Sequence, residues 1–261
     1  MKTKKVNVSI PEKELIRTLP DDLEIEEVEE NEGEPEYFHF HELRWLTDTY
    51  TQSQKIRIAS ENRLRALIQQ ADQGPESVFL NVLLNRFAEI EKDITKQMGK
   101  AVKQHPVWPW LSGVKGLGPK LSTKLLGLIP EDISSFTTVS KLWRYAGLAV
   151  IDGKAERPKK GEKLHYNIRL KTTMYLIGMS MIKTKSPYKL VYDRAKAYYQ
   201  QTRPEWSKAH VHMASMRKMQ KVFLCHVWEK WREALSLPTR EIYVIEVLGH
   251  EMKYKPEHFV N

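Results

Sequence analysis

The chain has one cysteine, Cys225, in 261 residues. A lone thiol excludes an intramolecular disulfide and a cysteine zinc cluster. No stretch approaches the roughly 18 consecutive apolar residues of a membrane-spanning helix. Met1 to Ile10 is basic and polar, without the apolar centre of a secretory signal. The expected location is therefore the cytoplasm. Carboxylates at nuclease spacing are missing too. Asp48, Asp93, Asp132, Asp152 and Asp193 are too scattered to suggest a two-metal centre. His39-x-His41 and His210-x-His212 lack a third ligand at recognisable spacing and read as surface or interface histidines.

Acid is scarce where base is plentiful. Residues 21–36 hold ten acids and no Lys or Arg, and residues 1–20 hold five basic and two acidic residues. Of the 42 basic and 33 acidic residues in the chain, 37 and 21 remain in 37–261, a net +16. A body that basic suits a polyanionic partner. The acidic segment buries too little to offset its ordering entropy, so residues 1–37 read as a disordered tail. The alternative is an arm that folds over the basic body.

Helical periodicity organises the rest into a mainly α fold. Leu43, Leu46, Tyr50, Leu64, Leu67 and Ile68 predict a helix over 38–72. Asp72-Gln-Gly-Pro75 breaks it. Phe87, Ile90, Ile94, Met98 and Val102 predict a second helix over 76–104. Together they form a coiled-coil-like arm, residues 38–105, each helix roughly 45 Å long at 1.5 Å per residue. Arms of this kind pair with a second copy or pack on themselves, and a homodimer is the expectation. Residues 106–261 then form a compact helical domain with minor β-structure. Gly127 to Pro130 stops one helix, Thr138 caps the next over 139–146, and Asp152-Gly153 turns a β-hairpin. Asn167 caps a helix to Lys183, Ser186-Pro187 starts another to about Gln201, and a Met-striped helix spans 208–235. Residues 241–247, Gly249 and Met252 to Lys255 read as a further small hairpin.

The candidate site is Val114 to Leu126, V-K-G-L-G-P-K-L-S-T-K-L-L. Gly116 can take a positive φ and turn the chain sharply. Gly118 keeps a side chain out of the way of a ligand. Pro119 fits the first turn of a helix, where its missing N–H is not needed. Amides from Leu117 to Leu121 and the positive helix end then offer a phosphate site. Lys115, Lys120 and Lys124 add charge. This is the pattern of a helix–hairpin–helix; the plain alternative is a glycine-capped turn. Arg157, Lys159, Lys160 and Lys163 form a basic loop. Arg169 and Lys171 open a helix, a poor place for cations unless an anion is near. Trp108, Trp110 and Trp206 are candidates for base stacking.

The order of long paired helices, V-x-G-L-G-P-K, F-x-x-x-x-x-L-W-x-Y-A-G-L, a basic loop and N-x-R-L resembles the C-terminal half of the insertion-sequence transposases known as bridge-RNA-guided recombinases. The resemblance runs over about 45–235 and is most specific around 110–148. It implies nucleic-acid binding and oligomerisation. Two parts of that pattern are not matched. A RuvC-like acidic nuclease domain would precede the arm, where this sequence has about 40 residues without such a pattern. A nucleophilic serine followed by glycine would come shortly after Y-A-G-L. Here Asp152-Gly153 stands there, with no serine between Ser140 and Ser180. The reading is a non-enzymatic, largely sequence-independent DNA-binding protein that requires no cofactor. The resemblance allows a monovalent cation at the hairpin carbonyls. The alternatives are a divergent recombinase or nuclease, and a coiled-coil protein scaffold with a vestigial hairpin.

Overall fold

The structure is a computed structural model that describes residues 40–70, 74–151, 153–158, 160, 161, 163–239 and 255–260. The acidic segment, Asp152, Lys159 and all but Lys255 of the hairpin predicted over 241–255 lie outside the described residues. The fold is mainly helical, as the periodicities predict.

Helices α1 (Phe40–Gln69) and α2 (Pro75–Ala101) run antiparallel, as the two sequence stripes require. Arg57 ties them: Nε meets Glu91 at 2.6 Å and Nη1 meets Glu61 at 2.5 Å. Arg63 pairs with Glu76 nearer the turn. Only the root of this arm is deeply buried. Leu43, Leu46, Tyr50, Met98 and Ala101 belong to the main core. Farther out, Ile90 and Ile68 are exposed, while Leu64 and Leu80 stay buried. Two helices cannot cover each other's flanks, so part of each stripe faces solvent.

The short helix α3 (Trp108–Leu111) leads through a turn to α4 (Pro119–Leu128). The helix ends at Leu128, within the predicted stop of Gly127 to Pro130, and Gly127 lies in its last turn. A Cβ there would sit 2.5 Å from the Leu43 carbonyl oxygen, so α4 crosses α1 backbone to backbone. Hydroxyls fasten the crossing: Thr47 donates to the Thr123 carbonyl (3.3 Å), and Thr123 donates to the Met98 carbonyl (3.0 Å).

Helix α5 (Val139–Tyr145) begins after Thr138, whose side chain makes no capping bond, contrary to the sequence reading. The predicted hairpin does form: β1 (Val150–Ile151) pairs antiparallel with β2 (Lys154–Ala155), and Gly153 has φ +73. Asn167 caps α6 (Ile168–Lys183) as predicted, its side-chain oxygen accepting from the amides of Arg169 and Leu170. Such a cap is worth about 1 kcal/mol.

Helices α7 (Lys189–Thr202) and α8 (Lys208–Ala234) complete the body. Met216, Met219, Phe223, Val227 and Trp231 of α8 are buried, while Met213 is exposed near its outer end. Trp108 and Trp110, candidates for stacking, instead pack on the core, and Trp110 lies 6.4 Å from Phe223. His105 is buried edge-on against Trp231, and burial pushes its pKa down to about 3, so it is neutral. No described helix is long and apolar enough to cross a membrane.

Candidate nucleic-acid interface

The turn before α4 is built by local hydrogen bonds. The Val114 amide donates to Leu111, and the Leu117 amide donates to Val114. Gly116 takes the positive φ predicted for it, +93. The reason for glycine there is internal: a Cβ would lie 2.6 Å from Thr184 Oγ1 and 3.3 Å from Met181 Cα. Ser180 Oγ also donates to the Gly116 carbonyl at 2.6 Å. Gly116 therefore seats the turn on α6. The Leu117 side chain is buried and its amide is engaged by the turn.

Gly118 is different. Its backbone is extended, φ −88 and ψ 169, and an added Cβ would meet nothing within 4 Å. Gly118, Pro119 and Lys120 are exposed. Pro119 occupies the first turn, and no side chain caps the helix start. The amides of Lys120 and Leu121 thus open a ten-residue helix toward solvent, where the helix dipole favours an anion.

Lysines crowd beside that end. Lys124 Nζ lies 4.3 Å from the Tyr50 ring centre, and Lys120 Nζ lies 5.2 Å from it and 3.4 Å from its hydroxyl. Tyr50 comes from the root of the arm, so α1 supplies the aromatic floor under the α4 lysines. Burial, then the charges of Lys120 and Arg169, push the Lys124 pKa down. Lys115 is exposed on the turn itself.

Arg169 and Lys171 separate. Two residues are about 200° around a helix. Arg169 faces the arm and pairs with Asp48 at 2.5 Å, so the anion its position calls for is supplied by α1. Lys171 faces the other way, 4.2 Å from the Tyr166 ring centre and donating to the Glu156 carbonyl at 2.9 Å. It braces the basic loop, where Arg157, Lys160 and Lys163 are exposed. The basic residues therefore fall into two groups, one at the hairpin and one at the loop, with Arg169 turned to the arm.

The second group has members that the sequence reading missed. Arg217 of α8 has its pKa pushed down by burial and also by Arg157. Lys221 lies 5.0 Å from the Trp143 ring centre, and the Trp143 indole donates to the Lys221 carbonyl at 3.0 Å. The sequence reading placed both in the 208–235 helix and gave them no role.

The described residues hold no group of three or more His, Cys, Asp or Glu that could bind a metal. Individual carboxylates have other uses: Asp193 pairs with Lys189, and Asp132 accepts from the Ser134 amide. His212 Nδ1 shares a 2.8 Å hydrogen bond with Tyr192. The hairpin carbonyls of Val114 and Gly116 each accept a protein hydrogen bond, so a cation there competes with Leu117 and Ser180.

No curated protein matches the chain. Residues 109–200, from α3 through the hairpin, the basic loop and α6 into α7, match the model of the transposase IS116/IS110/IS902 family, and over that stretch the chain is similar to those transposases.

Proposed function

We propose that this chain binds DNA through backbone phosphates and performs no chemistry on it. The observation that carries the reading is the α4 start: exposed, uncapped and flanked by Lys115, Lys120 and Lys124 beside an open Gly118. The transposase-family match over the same residues supports a DNA partner. Gly118 permits close approach, the Lys120 and Leu121 amides donate to a phosphate, and the lysines neutralise it. Arg157, Lys160 and Lys163 take a further stretch of backbone. The test is salt. Log affinity for duplex falls with log salt by about 0.9 per neutralised phosphate, so five or six contacts give a slope near about −5. A flat response overturns the reading.

A second copy completes the proposal. Val78, Phe79 and Val82 form an apolar patch at helical spacing on α2, and Phe79 is 63% exposed. A second arm laid on this face would cover it. Sedimentation at tens of micromolar is expected to show a dimer, and the double substitution Phe79→Glu/Val82→Glu a monomer. A monomeric unaltered chain refutes this part.

The family match also favours one rival, a divergent recombinase or nuclease. Incubation of the pure chain with Mg²⁺ or Mn²⁺ and nicked, branched or single-stranded DNA decides between them: cleavage or strand joining means an enzyme.

A further inference from the structure

The turn between α7 and α8 gathers rings and cations that neither the core nor the hairpin uses. Trp206 stacks on His210, with ring centres 4.0 Å apart and planes 7° apart. Tyr199 lies 5.3 Å from Trp206, and Tyr198 lies 5.5 Å from Tyr199. Tyr198 is 56% exposed, and His210 is exposed as well. Arg203 stands 6.0 Å from the Trp206 ring and Lys218 stands 5.7 Å from the Tyr198 ring. From Arg194 to Trp228 the chain has seven Lys or Arg and a single carboxylate, Glu205.

Other aromatic residues of these two helices behave differently. Tyr188, Tyr192, Phe223 and Trp231 lie in the core cluster, while Tyr198, Tyr199 and Trp206 do not belong to it. Their rings are ordered against one another at the surface. Flat rings arranged this way offer a face on which another flat ring can stack with little further ordering. Every nucleobase has such a face, and stacking on an aromatic side chain tolerates any base. The adjacent guanidinium and ammonium suit the phosphates that link successive bases. Bases inside a duplex are already stacked on each other and present only their edges. The geometry points to a platform for unpaired nucleotides on Tyr198, Trp206 and His210, with Arg203 and Lys218 holding the intervening phosphates. This site is independent of the hairpin's grip on duplex.

The test uses the full chain and three fluorescently labelled probes: a 15-mer of thymidine, a 15-mer of uridine and a 15-base-pair duplex, each followed by anisotropy at pH 8. Tyr198→Ala/His210→Ala removes two exposed rings, and a melting curve confirms that the variant folds. Its affinity for the single strands falls roughly tenfold or more, while duplex affinity stays unchanged. The salt slope for single strands also stays, because no phosphate contact is removed. His210→Phe keeps a flat ring and binds strands as the unaltered chain does. Arg203→Ala/Lys218→Ala weakens strand binding and flattens its salt slope by about 1.4, at roughly 0.7 per contact. The thymidine and uridine arms show which sugar the platform accepts. Gly118→Val leaves strand binding intact, so failure of the hairpin reading and failure of this one are separable. No strand binding by the unaltered chain overturns the platform. So does an alanine variant that binds strands normally, or one that loses strand and duplex together.

Discussion

Gly118→Val is expected to bind duplex DNA roughly a hundredfold more weakly than the unaltered chain, with the same melting temperature. The fold should tolerate it. Gly118 is extended at φ −88, which a β-branched residue accepts readily, and its Cβ would point into open space. The damage falls on the ligand. A branched side chain at the helix start stands between a phosphate and the Lys120 and Leu121 amides. Hydrogen bonds to charged groups are worth roughly 1.5–3 kcal/mol each. Losing two weakens binding by about 3 kcal/mol, or roughly a hundredfold. Lys120→Ala removes one point charge and keeps the amides, so a loss on the order of tenfold is expected. Gly116→Ala is a control of the opposite kind: it forces a side chain into positive φ and onto Thr184, so it destabilises the fold. Titrations of the three variants with melting curves check the order. If Gly118→Val binds normally while Lys160→Ala/Lys163→Ala abolishes binding, the hairpin is only a turn and the loop is the site.

Gly127→Ala is expected to lower the melting temperature by about 4–8 °C. Its Cβ would lie 2.5 Å from the Leu43 carbonyl oxygen, 2.7 Å from that carbonyl carbon and 2.9 Å from Thr47 Oγ1. Overpacking a core costs typically 1–3 kcal/mol. Here the obstacle is backbone, which cannot rotate aside, so the upper figure applies. Alanine regains about 1 kcal/mol of helix propensity. The net of about 2 kcal/mol gives the stated shift at roughly 2–4 °C per kcal/mol for a chain of this size. Gly99→Ala is the matched control. Its Cβ would meet Pro119 at 3.8 Å, an ordinary contact, so the propensity gain should leave stability level or higher. Equal melting of Gly127→Ala and the unaltered chain would falsify the close crossing. The crossing also sets the interface, because α1 carries Tyr50 under Lys120 and Lys124. Gly127→Ala is therefore expected to weaken DNA binding below the melting temperature as well.

Both predictions concern glycines that the sequence reading treated differently. It took Gly116 as the sharp left-handed turn and Gly118 as a place for close approach. The structure puts that backbone at Gly116 and leaves Gly118 extended. Gly127 looked like punctuation, since a glycine before Leu-Ile-Pro ends many helices. Nothing within α4 reveals that another helix's carbonyl presses on it.

Local chemistry was readable because its partners lie within a few residues. Asn167 bonds amides two and three positions on, Ile151 pairs with Lys154 across a tight turn, and Pro119 enters a helix at its first turn. Apolar spacing likewise marks α1, α2, α6 and α8, since the period of a helix is a property of one segment. Which positions meet a neighbour was decided in three dimensions. The arm's stripe joins the main core only at its root, where α4 crosses it. Arg169 has its anion because Asp48 arrives from 121 positions earlier. Trp110 is covered by Phe223, whereas Trp206, on the turn between α7 and α8, stays outside the core and stacks on His210. A segment's own periodicity says which side faces inward; what stands opposite depends on helices far along the chain, and those long-range contacts place each lysine, tyrosine and tryptophan.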